Sequence, residues 1–173
     1  MQPRLWPILT AALLAAACQE TPTGEPLANA QLKSGAGDAA GTAVFLPSGD
    51  GIALVVNLTG LPPGVHGVHL HNVGRCDAPT FESAGPHLNP TGKQHGAQNP
   101  AGPHVGDLPN VTVDAAGRAS ANIQIATPPS SFGAEVRDAD GTAIVVHAAP
   151  DDYRTDPSGN SGGRIACGIL TAD

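Results

Sequence analysis

Beyond the N-terminal region, apolar and polar residues alternate over short stretches of the chain, and the apolar runs are short and rich in Val and Ile. In residues 28–34, for example, Ala, Ala and Leu alternate with Asn, Gln and Lys. A period of two places such apolar side chains on one face of a strand. Alternating or β-branched segments predict eight strands, at residues 28–34, 42–46, 52–58, 65–72, 111–113, 119–125, 142–148 and 164–170.

The segments between the predicted strands are rich in turn-forming residues. The chain has 22 Gly and 17 Pro but only 3% aromatic residues, a composition that favours short strands over long helices. Turn signals between the strands include Gly49-Asp50-Gly51, Ala116-Gly117 and Asp140-Gly141. Eight short strands in one domain of ordinary size predict an all-β fold, either a closed barrel or a sandwich.

Two predicted loops are longer than turns and interrupt this rhythm, at residues 73–109 and 150–163. Loops of this length inside a compact domain are usually functional or disordered. The first one carries His87, His95, His104, Asp107 and Cys76, side chains that a metal ion or a disulfide can use to fix the chain. We therefore expect an ordered loop that is held by a metal.

The N-terminal region has the pattern of an export signal. Residues 1–17 combine Arg4, an apolar stretch and a run of small residues, and they are too short to span a bilayer. Cys18 follows where a bacterial lipoprotein carries its lipid. The alternative is an ordinary signal peptide before a spare thiol. The polar, Pro-containing residues 19–26 suit a flexible tether, which leaves residues 27–173 for the folded domain.

The charge of the chain bears on its binding partners, and the number of cysteines bears on disulfide pairing and lipid attachment. The formal net charge is -7, and the few Lys and Arg residues are scattered, which argues against nucleic acid as a partner. Three cysteines, Cys18, Cys76 and Cys167, are an odd number for an exported protein. If Cys76 and Cys167 pair, a lipid on Cys18 leaves no stray thiol.

The histidines are placed as metal ligands would be. His69 and His71 are two apart in a predicted strand and therefore share a face, whereas His66 faces the other way and is expected to be structural. His147 ends an apolar run at the edge of the predicted barrel. Three imidazoles and one carboxylate in the long loop form a closed set that suits structural zinc: His87, His95, His104 and Asp107. Imidazole donors alone leave copper, zinc and nickel open for the remaining histidines.

Several longer runs resemble the exported bacterial members of the Cu,Zn superoxide dismutase family. They extend over nearly everything after the tether and include His66-Gly67-Val68-His69-Leu70-His71, Ser83-Ala84-Gly85-Pro86-His87-Leu88-Asn89-Pro90, His104-Val105-Gly106-Asp107-Leu108, Val145-Val146-His147, Asp151-Asp152 and Gly159-Asn160-Ser161-Gly162-Gly163-Arg164-Ile165-Ala166-Cys167-Gly168. The resemblance implies an eight-stranded Greek-key barrel with copper and zinc as cofactors. It implies that the long loop binds metal and that the second loop forms the rim of the catalytic site.

The resemblance also assigns roles to individual residues. Copper would be bound by His69, His71, His87 and His147, and zinc by His87, His95, His104 and Asp107. In this arrangement His87 bridges both metals, and the carboxylate of Asp151 links a copper-ligand histidine to a zinc-ligand histidine. Cys76 would pair with Cys167 and close a loop of about 90 residues. In the chain-entropy model such a disulfide stabilises the folded protein by roughly 4 to 5 kcal/mol. Arg164 would attract and orient a small anion beside the copper.

The activity that the resemblance implies is the disproportionation of superoxide to O2 and H2O2 by a Cu(II)/Cu(I) cycle, with His87 and Arg164 as the catalytic residues. Lys93 and Arg154 are further candidates for guiding the anion in this acidic domain. A non-catalytic copper-binding or delivery module on the same fold is the alternative, and a zinc-stabilised structural barrel is a third interpretation.

The resemblance leaves the oligomeric state open between monomer and homodimer, because the family contains exported proteins of both kinds. We expect the protein to be exported to the periplasm or cell envelope and to be anchored there by a lipid on Cys18.

Overall fold

The computed structural model describes residues 24–172, which form eight strands, one short α-helix and one 3-10 turn. The predicted leader and Cys18 lie outside the described residues, as does most of the tether. The strands are β1 (Ala28–Ser34), β2 (Ala39–Ser48), β3 (Gly51–Thr59), β4 (Gly64–His71), β5 (Asp107–Val113), β6 (Arg118–Ile125), β7 (Ala143–His147) and β8 (Arg164–Ile169). The helix α1 (Pro129–Val136) lies between β6 and β7.

All eight strands belong to one antiparallel sheet in the order β5-β4-β7-β8-β1-β2-β3-β6. The edge strands β5 and β6 lie beside each other, so the sheet curls into a nearly closed barrel. β3 pairs with β6 and β4 with β7, which requires the long crossing connections of a Greek key. The all-β class and the eight strands are as predicted from the sequence.

The barrel is filled by side chains from alternate positions of its strands. In β3, for example, Leu54 and Val56 are fully buried, and in β2 Ala43 and Phe45 are. β7 differs because both of its faces are buried: Ile144 and Val146 face the core, and its outer face packs beneath Phe81 and the loop around it. A strand covered on both sides is a rigid support for the residue that ends it, which is His147.

The structure corrects several predicted boundaries. β2 begins at Ala39 and β5 at Asp107, whereas the sequence pattern placed their starts at residues 42 and 111. The long loop therefore ends at residue 106, and Asp107 opens a strand. No helix was predicted for Pro129–Val136, which begins with a proline in its first turn. Tertiary packing stabilises it, because the ring of Phe132 stacks on Phe45 with the centroids 4.7 Å apart.

Among residues 24–172, no helix combines the length and the hydrophobicity that a membrane span requires.

Candidate metal centre

Four imidazole nitrogens converge at one end of the barrel. Two rings come from the end of β4, one from the end of β7 and one from the loop that follows β4, and their donor atoms all lie within 4.8 Å of one another. The buried atoms without a hydrogen-bond partner in the described residues include one nitrogen of each ring: His69 Nδ1, His71 Nε2, His87 Nε2 and His147 Nε2. Four converging buried nitrogens without partners are rare in proteins unless an ion binds them. The arrangement fits a metal with nitrogen ligands such as Cu(II).

The opposite nitrogens of these rings are occupied, which fixes the orientation of each ring. Three of them donate to oxygens of the protein: His71 Nδ1 to Gly85 O at 2.8 Å, His147 Nδ1 to Gly162 O at 3.1 Å and His69 Nε2 to Asp151 Oδ2 at 2.9 Å. A neutral imidazole that donates from one nitrogen presents a lone pair on the other. These hydrogen bonds therefore select the tautomers in which the lone pairs point into the cluster.

The second group of donors surrounds Asp107. The Nδ1 atoms of His87, His95 and His104 lie 3.0, 2.9 and 3.2 Å from its Oδ1. Its Oδ2 accepts hydrogen bonds from the backbone N–H groups of Gly96 and His104, which hold the carboxylate in place. Three imidazoles and one carboxylate match the ligand set of a closed tetrahedral zinc site.

The ring of His87 belongs to both groups. Its Nε2 is among the four unpartnered nitrogens, and its Nδ1 faces Asp107. Its ring centroid lies 4.0 Å from that of His69. One imidazole therefore has one nitrogen available to each of two neighbouring metal ions. The structure brings together all seven residues that the sequence nominated as ligands.

Asp151 lies between the two groups of histidines. Its Oδ2 accepts from His69 Nε2 at 2.9 Å, and its Oδ1 accepts from His95 Nε2 at 3.0 Å. The carboxylate is fully buried, as are both rings. One carboxylate therefore orients a ring in each group.

Two residues that the sequence analysis missed hold Asp151 in place. The side chain of Asn110 forms hydrogen bonds with both the N–H and the C=O of Asp151, each at 2.9 Å. The N–H of Tyr153 donates to Asp151 Oδ1 at 2.7 Å. Neither residue lies in a pattern that sequence reasoning can detect, since one is an ordinary strand residue and the other lies in a loop. Tyr153 has a positive φ of 63°, which is uncommon for a residue with a large side chain.

Burial and hydrogen bonding together keep these groups in the protonation states that metal binding requires. Desolvation lowers the pKa of His71 to about 2, that of His147 to about 3 and that of His87 to about 4. Burial opposes ionisation of Asp107, but the hydrogen bond from His87 and those from backbone N–H groups hold its pKa below the usual range. Neutral imidazoles and an ionised carboxylate are the forms that bind metal ions.

Arg164 begins β8 and reaches an open cavity beside His71, His87 and His147. This cavity has a volume of about 360 Å³ and is named the arginine cavity below. Arg164 Nη1 donates to the carbonyl of Phe81 at 2.6 Å, and Nη2 donates to the carbonyl of Gly85 at 2.7 Å. The Gly85 carbonyl thus accepts from both Arg164 and His71, which fixes the guanidinium relative to one of the converging rings.

A disulfide joins Cys76 to Cys167 on β8, across a sequence separation of 91 residues. It tethers the segment that carries the carbonyls of Phe81 and Gly85 to the strand that carries Arg164. Phe81 is buried against this disulfide and has a positive φ of 56°. The guanidinium and its two acceptors therefore lie on covalently linked parts of the chain.

The remaining candidates have different surroundings. The ring of His66 is buried outside the cluster, with its nitrogens 2.7 Å from the carbonyl of His147 and 2.8 Å from that of Pro62. Lys93 lines a second cavity of about 530 Å³, which His87 also lines. Arg154 lines neither cavity. Four carboxylates line the second cavity, which we call the acidic cavity: Glu135, Asp138, Asp140 and Asp156.

The sequence and the fold both match known proteins. The model of the copper/zinc superoxide dismutase family matches residues 39–170. The chain is 40% identical to the protein named Cu-Zn superoxide dismutase 2 of Aquifex aeolicus, over 83% of this chain and 85% of the relative. Identity to the Cu-Zn superoxide dismutase of Caulobacter vibrioides is also 40%, with 83% and 84% covered. A crystal structure of a SOD-like protein from Bacillus subtilis superposes with a TM-score of 0.77 at 39% identity, covering 83% of this chain and 97% of that one. The chain belongs to the copper/zinc superoxide dismutase family.

Proposed function

We propose that this protein is an oxidoreductase that disproportionates superoxide to O2 and H2O2 at a copper and zinc centre. The observation that carries the proposal is the convergence of four unpartnered imidazole nitrogens beside a fixed arginine in an open cavity. Copper, when bound, supplies one-electron chemistry by passing between Cu(II) and Cu(I). A structural metal needs no cavity, whereas a redox centre must be reached by its substrate.

The donor sets support a division of the two metals. His69, His71, His87 and His147 are the proposed copper ligands, and their cluster opens to the arginine cavity. His87, His95, His104 and Asp107 are the proposed zinc ligands. Because His95 is fully buried and all four zinc donors are protein groups, this second set offers no position for substrate.

Arg164 is the proposed anion-binding residue. Its two hydrogen bonds to carbonyls hold the guanidinium in the wall of the cavity, and its remaining N–H donors stay available. A positioned positive charge attracts and orients a small anion without reorganisation at the moment of reaction. The formal charge of the chain is -7, so the attraction must arise locally.

His87 is the proposed proton carrier. Its Nε2 faces the copper donors at the cavity, and its Nδ1 faces Asp107. A ring that stays anchored through Nδ1 can hold a proton at Nε2 and release it to a peroxide leaving the cavity. Asp151 keeps His69 and His95 oriented while this happens, because it bonds to both rings.

The location of this activity is a separate part of the proposal. Removal of an export signal before Cys18 and attachment of a lipid would place the enzyme in the periplasm or cell envelope, where it would protect the envelope from superoxide. The supporting observation is the sequence of residues 1–18. Labelling with a radioactive fatty acid should mark the wild type and not Cys18→Ser. Equal labelling of the two proteins, or labelling of neither, would refute the anchor.

The decisive experiment is superoxide consumption by the purified protein loaded with copper and zinc, compared with the same protein loaded with zinc alone. The proposal expects fast turnover that cyanide inhibits and that only the copper-loaded form shows. A copper-delivery module and a structural barrel both predict negligible consumption in either form. The comparison is needed because the related protein of Bacillus subtilis is called SOD-like.

A further inference from the structure

The arginine cavity contains a second charged side chain. Apart from Arg164 and the three histidines, its lining consists of uncharged residues and Glu82, the one carboxylate among the described residues that line it. Glu82 opens the 3-10 turn Glu82–Ala84, directly after Phe81. The backbone that holds Arg164 therefore also places a negative charge in the same cavity.

Glu82 does not neutralise Arg164 by pairing with it. The bonded Nη atoms of Arg164 donate to the carbonyls of Phe81 and Gly85, and the side chain of Glu82 is exposed. An incoming anion therefore meets an attractive charge at the wall and a repulsive charge close to it. The guanidinium of Arg164 accounts for the attraction of an anion. The carboxylate of Glu82 opposes that attraction, so its presence in the cavity needs a separate explanation.

We propose that Glu82 makes the arginine cavity selective for anions of single charge. This inference rests on the proposed function and specifies its substrate class. The Coulomb energy between a fixed carboxylate and an anion is proportional to the anion's charge. Repulsion by Glu82 therefore penalises a divalent anion such as sulfate twice as strongly as a monovalent anion such as superoxide. Arg164 alone would favour the divalent anion.

The proportionality gives a quantitative expectation for Glu82→Gln. If removal of the charge tightens binding of a monovalent anion by some factor, it should tighten binding of a divalent anion by about the square of that factor. For an exposed carboxylate near the cavity, about threefold for azide is a reasonable magnitude, and about ninefold for sulfate then follows. Loss of a structural contact would change the affinity for both anions by similar factors.

The test measures anion binding to the copper- and zinc-loaded protein at constant ionic strength. Azide is titrated by its absorption band with Cu(II), and sulfate by its competition with azide. Glu25→Gln is the matched control, because Glu25 is exposed, lines neither cavity and gives the same change in net charge. Metal content and thermal stability are measured for each variant.

We expect Glu82→Gln to tighten azide binding severalfold and sulfate binding by about the square of that factor, with Glu25→Gln unchanged. Equal factors for the two anions, or equal effects of the two variants, would overturn the selectivity. The titrations need no turnover. If the wild type fails to consume superoxide but the squared relation holds, the proposed enzyme activity is refuted and the selectivity stands.

Discussion

The hydroxyl oxygen of Tyr153 accepts a hydrogen bond from the backbone N–H of Asn110 at 2.9 Å. This bond joins the loop after β7 to β5, and the side chain of Asn110 returns two hydrogen bonds to Asp151. Tyr153 also accepts at its carbonyl from the N–H of Gln98 in the long loop. The carboxylate that orients rings in both donor groups is thus held by contacts from three parts of the chain.

We predict that Tyr153→Phe weakens zinc binding, because Tyr153 supports the carboxylate of Asp151, which orients His95. The variant keeps the ring but leaves the N–H of Asn110 without its acceptor, which costs about 1 to 3 kcal/mol if water does not replace it. The measurement is the rate of zinc release to a chelator, together with the free energy of unfolding. Unchanged zinc release would show that the hydroxyl does not support the site.

His147→Ala should abolish superoxide turnover and retain zinc. His147 supplies one of the converging nitrogens and makes no contact with Asp107, so its removal opens the copper set alone. Metal analysis and superoxide assays on the same preparation test this. His66→Ala, a change at a histidine outside the cluster, is the comparison. Zinc loss in His147→Ala to the same extent as copper loss would contradict the division of ligands.

Arg164→Lys should slow turnover by about one to two orders of magnitude while both metals stay bound. A lysine keeps the positive charge but cannot donate to the carbonyls of Phe81 and Gly85 at the same time. If charge alone sufficed, Arg164→Lys would match the wild type and only Arg164→Ala would be slow. The kcat/KM values of the two variants, measured with their metal contents, distinguish these cases.

Gly159→Ala should disrupt the metal centre although it lies outside both donor groups. A Cβ at this position would overlap the carboxylate of Asp151 and would approach His95 Nε2 to 2.7 Å, and φ is +61°. Gly163→Ala, in the same loop, is the matched control because a Cβ there meets nothing within 4 Å. We expect loss of metal affinity in the first variant only. Similar metal affinities in the two variants would contradict the close packing around Asp151.

The convergence of His69, His71 and His147 could be predicted from the sequence because the spacing of residues in a strand determines which way their side chains point. His69 and His71 share a face of β4, and His147 ends a strand that is apolar throughout. Among the groups that orient these rings, Asp151 was predicted from the family resemblance, but the backbone acceptors could not be predicted. Arg164 and His71 donate to the carbonyl of Gly85, and a backbone carbonyl is present in every residue, so nothing in the sequence marks it as an acceptor.

The helix α1 and the early start of β2 could not be predicted because both depend on contacts between distant parts of the chain. Pro129–Val136 is short, and its buried residues include Phe132 and Val136, which pack on the barrel, so the helix depends on long-range contacts. The early start of β2 depends on pairing with β1 across an irregularity beside Leu32. Pairing between strands supplies the stability that Ala39, Ala40 and Gly41 lack as strand formers.

His87 lines both cavities, and the two linings differ in charge: the arginine cavity holds Arg164 and Glu82, whereas the acidic cavity holds Lys93 and four carboxylates. In the arginine cavity the charges of Arg164 and Glu82 cancel, whereas in the acidic cavity one ammonium against four carboxylates leaves three negative charges. A small anion is therefore repelled less strongly in the arginine cavity than in the acidic cavity. Approach to His87 through the arginine cavity is thus favoured over approach through the acidic cavity, so a protein that is acidic as a whole can still admit a negatively charged molecule to this ring.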